Sequence, residues 1–151
     1  MATLKSILLA EDNPKDVELT LAALGEHNLA NDVTVVNDGA EALDYLYFRG
    51  KYSLRASGNP AVILLDLKMP KVDGLQVLKT IKGDEKLKTI PVVVLTSSRE
   101  ETDLVRSYEL GVNAYVVKPV DFQQFVQAVS QLGVFWGLIN ERPPGSVGRL
   151  A

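Results

Sequence analysis

Short apolar runs recur along the chain, separated by segments long enough for a helix. Each run has at most five residues, is rich in Val and Ile, and does not alternate with polar residues: Ile7–Ala10, Val33–Val36, Ala61–Leu65, Val92–Leu95 and Ala114–Val117. Continuously apolar strands are typical of a parallel sheet that is covered on both faces. Because the intervening segments have helical spacing, the pattern predicts a doubly wound α/β fold of the (βα)5 type, with right-handed crossovers.

The starts of the predicted helices carry residues that cap helix N-termini. A short polar side chain precedes each helix and can accept a hydrogen bond from its first turn: Asn13 before Pro14, Asp38, Asp73, Ser98 with Glu101 three residues later, and Asp121. Gly83 and Gly111 stand where the third and fourth helices should end. These local signals agree with the strand pattern.

Two stretches depart from minimal connections. Residues 48–60 form a polar, basic loop that is longer than most connections, and such a loop is either functional or mere decoration. The last residues, ERPPGSVGRLA, contain paired prolines and glycines that prevent a helix. We therefore expect one domain over residues 1–140 and a C-terminal tail over residues 141–151.

Composition narrows the function classes. Sixteen basic and 19 acidic side chains give a net charge of −3, which argues against a nucleic-acid binder. The chain has no cysteine, and its single histidine, His27, cannot form a histidine metal site and is expected at the surface. No apolar run approaches the roughly 18 residues that suggest a membrane span, and the N-terminus lacks a signal-peptide core. We expect a cytoplasmic protein.

Charged and hydroxyl-bearing residues stand where the predicted strands end. Glu11 and Asp12 follow the first strand, Asp66 the third, Thr96 the fourth and Lys118 the fifth. The carboxyl ends of parallel strands share one edge of the sheet, where ligands bind. Asp66 alone could cap a helix, and each of the others could be an ordinary surface or strand residue. Their common location favours a site.

The residue types at this edge point to phosphoryl chemistry. Three gathered carboxylates would repel one another by several kcal/mol at the effective dielectric of a protein surface, so a cation is expected among them. Oxygen donors without histidine or thiolate suit Mg²⁺. A hydroxyl, an ammonium and a divalent cation around one carboxylate can bind a phosphoryl group. The sequence therefore predicts Asp66 as a nucleophile that forms an aspartyl phosphate, assisted by Thr96 and Lys118.

With these residues the chain resembles the response-regulator receiver domains of two-component signalling, over roughly residues 5–135. The resemblance is carried by the Glu11-Asp12 pair, Asp66 followed by Met69, Pro70 and Gly74, then Thr96, Tyr115 and the Lys118-Pro119 pair. It implies the flavodoxin-like strand order 2-1-3-4-5 and a cis peptide bond before Pro119. It also implies a signalling phosphoacceptor rather than an enzyme.

The resemblance also implies roles for individual residues. Asp12 and Asp66, with the backbone carbonyl of Lys68, would hold Mg²⁺, and Glu11 would hold it directly or through water. The phosphoryl group would come from a sensor histidine kinase.

A switch is implied next to this pocket. The hydroxyl of Thr96 would move toward the phosphoryl group while Tyr115 turns inward. The order EDNP.D, the long loop before the third strand and FWGLINERPP resemble single-domain regulators paired with bacterial phytochrome histidine kinases.

The last predicted helix has more apolar residues than one buried stripe needs. Val134, Phe135, Leu138 and Ile139 lie off the stripe, which suggests burial against a partner. We expect a homodimer through the fourth helix, fifth strand and fifth helix. Without an attached output domain, the signal would pass through protein contacts and not through nucleic acid or a membrane.

Three alternative functions share some of these features. A phosphohydrolase of the haloacid-dehalogenase type needs a second aspartate two positions after the nucleophile, where this chain has Lys68. A flavodoxin-like cofactor carrier needs a first loop that receives phosphate, which Glu11 and Asp12 would repel. A pseudo-receiver, an interaction module without phosphorylation, is kept as the alternative, although the complete pocket argues against it.

Overall fold

The computed structural model describes residues 6–25, 33–56, 58–97, 112 and 114–131. Five parallel strands form one sheet in the order β2-β1-β3-β4-β5. Their bounds are β1 Ile7–Ala10, β2 Val33–Val36, β3 Val62–Asp66, β4 Val92–Thr96 and β5 Tyr115–Val117. The predicted strand order is confirmed, and each strand lies within one residue of its predicted position. Two strands extend further than predicted, so that Asp66 and Thr96 are their last residues.

Helices follow the strands in the predicted alternation. They are α1 Pro14–Gly25, α2 Gly39–Leu46, a short 3-10 helix Gly50–Tyr52, α3 Gly74–Gly83, and a last helix, Phe122–Gln131. Four predicted caps are confirmed, because side-chain oxygens accept hydrogen bonds from backbone N–H groups of the first turn at Asn13, Asp38, Asp73 and Asp121. Within the described ranges, no helix has the length and apolar character required to cross a membrane.

Several predictions lie outside the described residues. They are the cap at Ser98 with Glu101, the helix that follows it, its end at Gly111, the surface position of His27, the apolar residues Val134, Phe135, Leu138 and Ile139, and the tail at 141–151.

The sheet separates two apolar layers, and alternate residues of each strand face opposite layers. Every residue of β1, β3 and β4 is buried, as the continuously apolar runs predicted. On one face, strand residues pack against α2 and α3, through Ala42, Leu46, Val77, Leu78 and Ile81. On the other face they pack against α1 and the last helix, through Leu24, Phe125 and Ala128. The strand ends are thus fixed on both sides by close packing.

The long loop before β3 folds back on α2 through Arg55. The guanidinium lies 3.7 Å from the ring centroid of Phe48 and 4.0 Å from that of Tyr45. Its Nε also donates a hydrogen bond to the backbone oxygen of Tyr45 at 2.7 Å. Cation–π contacts of this kind stabilise a loop. Leu54, near the loop's tip, is 96% exposed.

Candidate functional site

The carboxyl edge of the sheet brings together residues that are far apart in sequence. Glu11 follows β1, Asp66 ends β3 and Lys118 follows β5. The Lys118 Nζ atom lies 3.0 Å from Glu11 Oε1 and 3.4 Å from Asp66 Oδ2. The side chain of Lys118 is only 10% exposed, so an ammonium is held within a largely buried acidic pocket.

Three carboxylates form a set that could hold a cation. Glu11, Asp12 and Asp66 each offer one oxygen, and the three oxygens lie within 4.8 Å of one another. Glu11 is fully buried and Asp66 is 5% exposed, whereas Asp12 is exposed. An ion could therefore enter from the side of Asp12. The donors are all carboxylate oxygens, which fits Mg²⁺ or a similar hard divalent cation.

Burial and the nearby charge of Asp66 both disfavour the ionised form of Glu11. Burial raises the pKa of Glu11 from 4.5 to about 7, and the negative charge of Asp66 adds to the rise. The hydrogen bond from Lys118 lowers the pKa of Glu11, but by less than burial and the charge of Asp66 raise it. The raised pKa shows that the negative charge of Glu11 is incompletely compensated, and a cation bound beside it would favour the charged form.

Lys118 is held in its charged form. Burial acts against its charge, but hydrogen bonds to Asp16 and Glu11, together with the negative charges of Asp66 and Glu11, raise the pKa of Lys118 above its ordinary value. The ammonium therefore stays protonated throughout the physiological range.

Asp16 is the site residue that the sequence analysis missed. It lies in the first turn of α1, and its Oδ2 is 3.0 Å from Lys118 Nζ. The motif EDNP.D contains this residue, and Asn13 caps the helix so that Asp16 is in its first turn. Those features were a signal that the side chain could reach the strand edge, but no role was assigned to it.

Thr96 and Tyr115 lie on the opposite face of the sheet from Asp66. Leu95 pairs with Asp66, and Val94 pairs with Tyr115. By strand alternation Thr96 and Tyr115 therefore share a face. Thr96 is 3% exposed, and the half-buried Tyr115 donates a hydrogen bond from its hydroxyl to the backbone oxygen of Val112 at 2.8 Å. Because they share a face, the side chains of Thr96 and Tyr115 could move together. That movement stays a prediction.

The loop after Asp66 fixes that carboxylate in place. The backbone N–H of Lys68 donates to Asp66 Oδ1 at 3.2 Å, and that of Gly74 donates to the backbone oxygen of Leu67 at 2.9 Å. A Cβ atom at Gly74 would collide with the backbone oxygen of Asp66 and the Cα atom of Leu67. Glycine is therefore required where α3 begins beneath the site.

Two further expectations concern backbone groups. The peptide bond between Lys118 and Pro119 is cis, as the resemblance implied. The backbone of Lys68 lies beside Asp66, and its side chain is exposed. Its carbonyl as a cation ligand stays a prediction.

Comparison with protein families identifies the class. The family model described as the response regulator receiver domain matches residues 7–130. The chain therefore belongs to the response regulator receiver domain family, and the resemblance seen in the sequence is confirmed.

Individual relatives include regulators that are associated with phytochromes. The solved bacteriophytochrome response regulator AtBRR has a TM-score of 0.84 and 66% identity, covering 89% of this chain and 96% of that one. The Synechocystis response regulator Rcp1 is 40% identical over 132 residues, 87% of this chain and 88% of that protein. Its Mn²⁺-bound form has a TM-score of 0.71, covering 88% of this chain and 94% of that one. The phosphorylated cyanobacterial phytochrome response regulator RcpA has a TM-score of 0.74 and 42% identity, covering 95% of this chain and 100% of that one.

Proposed function

We propose that this protein is a phosphoacceptor response regulator that receives a phosphoryl group on Asp66 from a histidine kinase. The observation that carries the proposal is the convergence of buried Asp66 with two further carboxylates and one ammonium at a single edge of the sheet. A purely structural aspartate would not need an ion pair shared with other acids. Membership of the receiver family supports the same conclusion.

We propose Mg²⁺ as the cofactor, held by Glu11, Asp12, Asp66 and the backbone carbonyl of Lys68. When bound, the cation would neutralise charge on the carboxylates and on the phosphoryl oxygens. The donor chemistry of the three carboxylates fits such an ion, and the Mn²⁺-bound form of the relative Rcp1 supports a divalent cation in this kind of protein.

The chain's own residues would position the reaction. One Asp66 oxygen attacks phosphorus, an O–P bond forms, the P–N bond to the donor histidine breaks, and the imidazole leaves with the bonding electron pair. The Lys68 N–H bonded to Oδ1 orients the carboxylate. Lys118, already 3.4 Å from Oδ2, can donate to a phosphoryl oxygen as charge spreads over that group. Thr96, at the end of the adjacent strand, would donate a hydrogen bond from its hydroxyl to a second phosphoryl oxygen.

Phosphorylation would be transmitted by contacts. We propose that Thr96 moves toward the phosphoryl group and that Tyr115 follows into the vacated space, changing the surface beside β5. The domain would span residues 1–140, with the tail at 141–151, and act in the cytoplasm. We expect a homodimer through the predicted fourth helix, β5 and the last helix, and this interface would respond to the change in surface.

We propose a bacterial phytochrome kinase as the phosphodonor. The likeness to the bacteriophytochrome regulator AtBRR, at 66% identity, supports this partner. The phosphorylated form of the relative RcpA supports the reaction itself.

Two experiments test the proposal together. The intact mass of the parent and of Asp66→Asn is measured after incubation with acetyl phosphate and Mg²⁺, and label transfer from an autophosphorylated bacteriophytochrome kinase is followed on a gel. We expect the parent to gain one phosphoryl mass and to take the label, and the variant to do neither. A parent that gains no mass from acetyl phosphate would instead indicate a pseudo-receiver.

A further inference from the structure

The ammonium of Lys118 is shared by three carboxylates, and one of them has no place in the cation set. Lys118 Nζ donates to Glu11 Oε1 and Asp16 Oδ2 at 3.0 Å and to Asp66 Oδ2 at 3.4 Å. Glu11 and Asp66 also belong to the group of acids that could hold a cation, whereas Asp16 does not. Asp16 thus pairs with Lys118 but does not belong to the set of acids that could hold a cation.

We propose that Asp16 is a positioning residue that holds Lys118 in the resting protein and must release it when Asp66 is phosphorylated. This inference rests on the proposed function of Asp66. The carboxylate of Asp16 would be a resting counter-ion that the phosphoryl group replaces, and it would therefore limit how readily Asp66 reacts.

The donor count of Lys118 supports such an exchange. A lysine ammonium has three N–H donors, and the three carboxylates already accept from it. A phosphoryl oxygen that needs one of these donors must displace one of the three acceptors. The contact to Asp66 is the longest of the three, so the ammonium is held toward α1 and β1 rather than toward the nucleophile.

The surroundings of Asp16 make it the acceptor that is easiest to displace. Its side chain is 25% exposed, whereas Glu11 is fully buried and Asp66 is 5% exposed. Water can solvate the carboxylate of Asp16 once it is released, but it cannot do so for the buried acids. Asp16 also lies on helix α1, outside the strand ends that build the pocket.

The test compares rates of phosphorylation by acetyl phosphate in saturating Mg²⁺, followed by intact mass, for the parent, Asp16→Asn, Asp16→Glu and Glu18→Gln. We expect Asp16→Asn to raise the rate constant about twofold to fivefold, the size of one partly exposed ion pair. Asp16→Glu keeps the charge and should stay near the parent rate. Glu18→Gln removes the same charge from an exposed position of the same helix and should change little. Urea unfolding of each variant shows that it is folded.

The outcomes separate this inference from the proposed function. A faster Asp16→Asn variant with a parent-like Asp16→Glu variant supports the counter-ion role, because structural damage at the pocket would slow the reaction. A phosphorylated parent with an unchanged or slower Asp16→Asn variant overturns the inference alone, as would equal acceleration by Asp16→Asn and Glu18→Gln. A parent that takes no phosphoryl group refutes the proposed function and, with it, this inference.

Discussion

Replacing Glu11 by Gln should change how the stability of the cation-free protein depends on pH. The pKa of Glu11 rises from 4.5 to about 7 because the group is buried beside Asp66. Between these two values the folded protein binds a proton that the unfolded chain does not bind. Stability from Glu11 is therefore fully present below about pH 4.5 and is lost as the pH rises through about 7.

The magnitude follows from the difference between the two pKa values. Each pKa unit corresponds to about 1.4 kcal/mol, so the whole difference is about 3 kcal/mol of the free energy of unfolding. Most of it should be lost between about pH 5 and about pH 8.5. Gln resembles the neutral carboxylic acid and cannot titrate. In a chelating buffer we therefore expect the parent to lose about 2 to 3 kcal/mol more than Glu11→Gln across this range.

Urea unfolding at several pH values measures this loss, and Glu41→Gln is the matched control. Burial opposes the charge of Glu41, but hydrogen bonds from Tyr52 and the backbone of Asn37 lower its pKa. Its carboxylate therefore stabilises the fold above its ordinary pKa, and that stability is lost as the pH falls. Glu41→Gln should lose stability relative to the parent at high pH, where Glu11→Gln gains it. Parallel pH profiles for the parent and Glu11→Gln would refute the reasoning.

Three further substitutions test the packing and the charge balance around the site, and urea unfolding measures the stability of each variant. Gly74→Ala should cost about 3 kcal/mol or more, because its Cβ would meet the backbone of Asp66. Gly83→Ala is the control: its Cβ would meet nothing within 4 Å, and it should change stability by less than about 1 kcal/mol. Equal effects of the two substitutions would contradict this account. Lys118→Met should cost about 3 to 5 kcal/mol at high pH, since it leaves buried acids without their cation, and less at low pH, where Glu11 is protonated; a pH-independent cost would argue against shared charge. Phe125→Ala, at a fully buried position, should cost about 3 to 5 kcal/mol, and a loss below about 1 kcal/mol would show that the layer beneath the pocket is loosely packed.

The fold was predictable from sequence because its signals are local. The apolar run before Asp66 is continuous, and the caps at Asn13 and Asp73 act within three residues, so neither depends on the rest of the chain. Glu11 and Asp66 were predictable as neighbours because parallel strands must end at one edge. The pocket therefore follows from the strand pattern.

The features that escaped prediction depend on long-range orientation. The pair between Asp16 and Lys118 joins residues 102 positions apart, and it forms only because the fold brings the first turn of α1 next to the residue that follows β5. Arg55 likewise lies over Phe48 and Tyr45 because the loop folds back on α2. The charged and aromatic residues in the sequence indicate that such contacts are possible, but tertiary packing decides which residues pair.

The most direct measurement is the Mg²⁺ dependence of Asp66 phosphorylation. Intact mass is recorded at a fixed time after addition of acetyl phosphate, over a Mg²⁺ titration that begins in chelator, for the parent and for Asp12→Asn. We expect phosphorylation of the parent to be negligible in chelator and to saturate with Mg²⁺, and the midpoint for Asp12→Asn to lie about tenfold or more higher, because one ligand charge is gone. Phosphorylation that proceeds equally well in chelator, or a midpoint that Asp12→Asn does not move, would contradict the account.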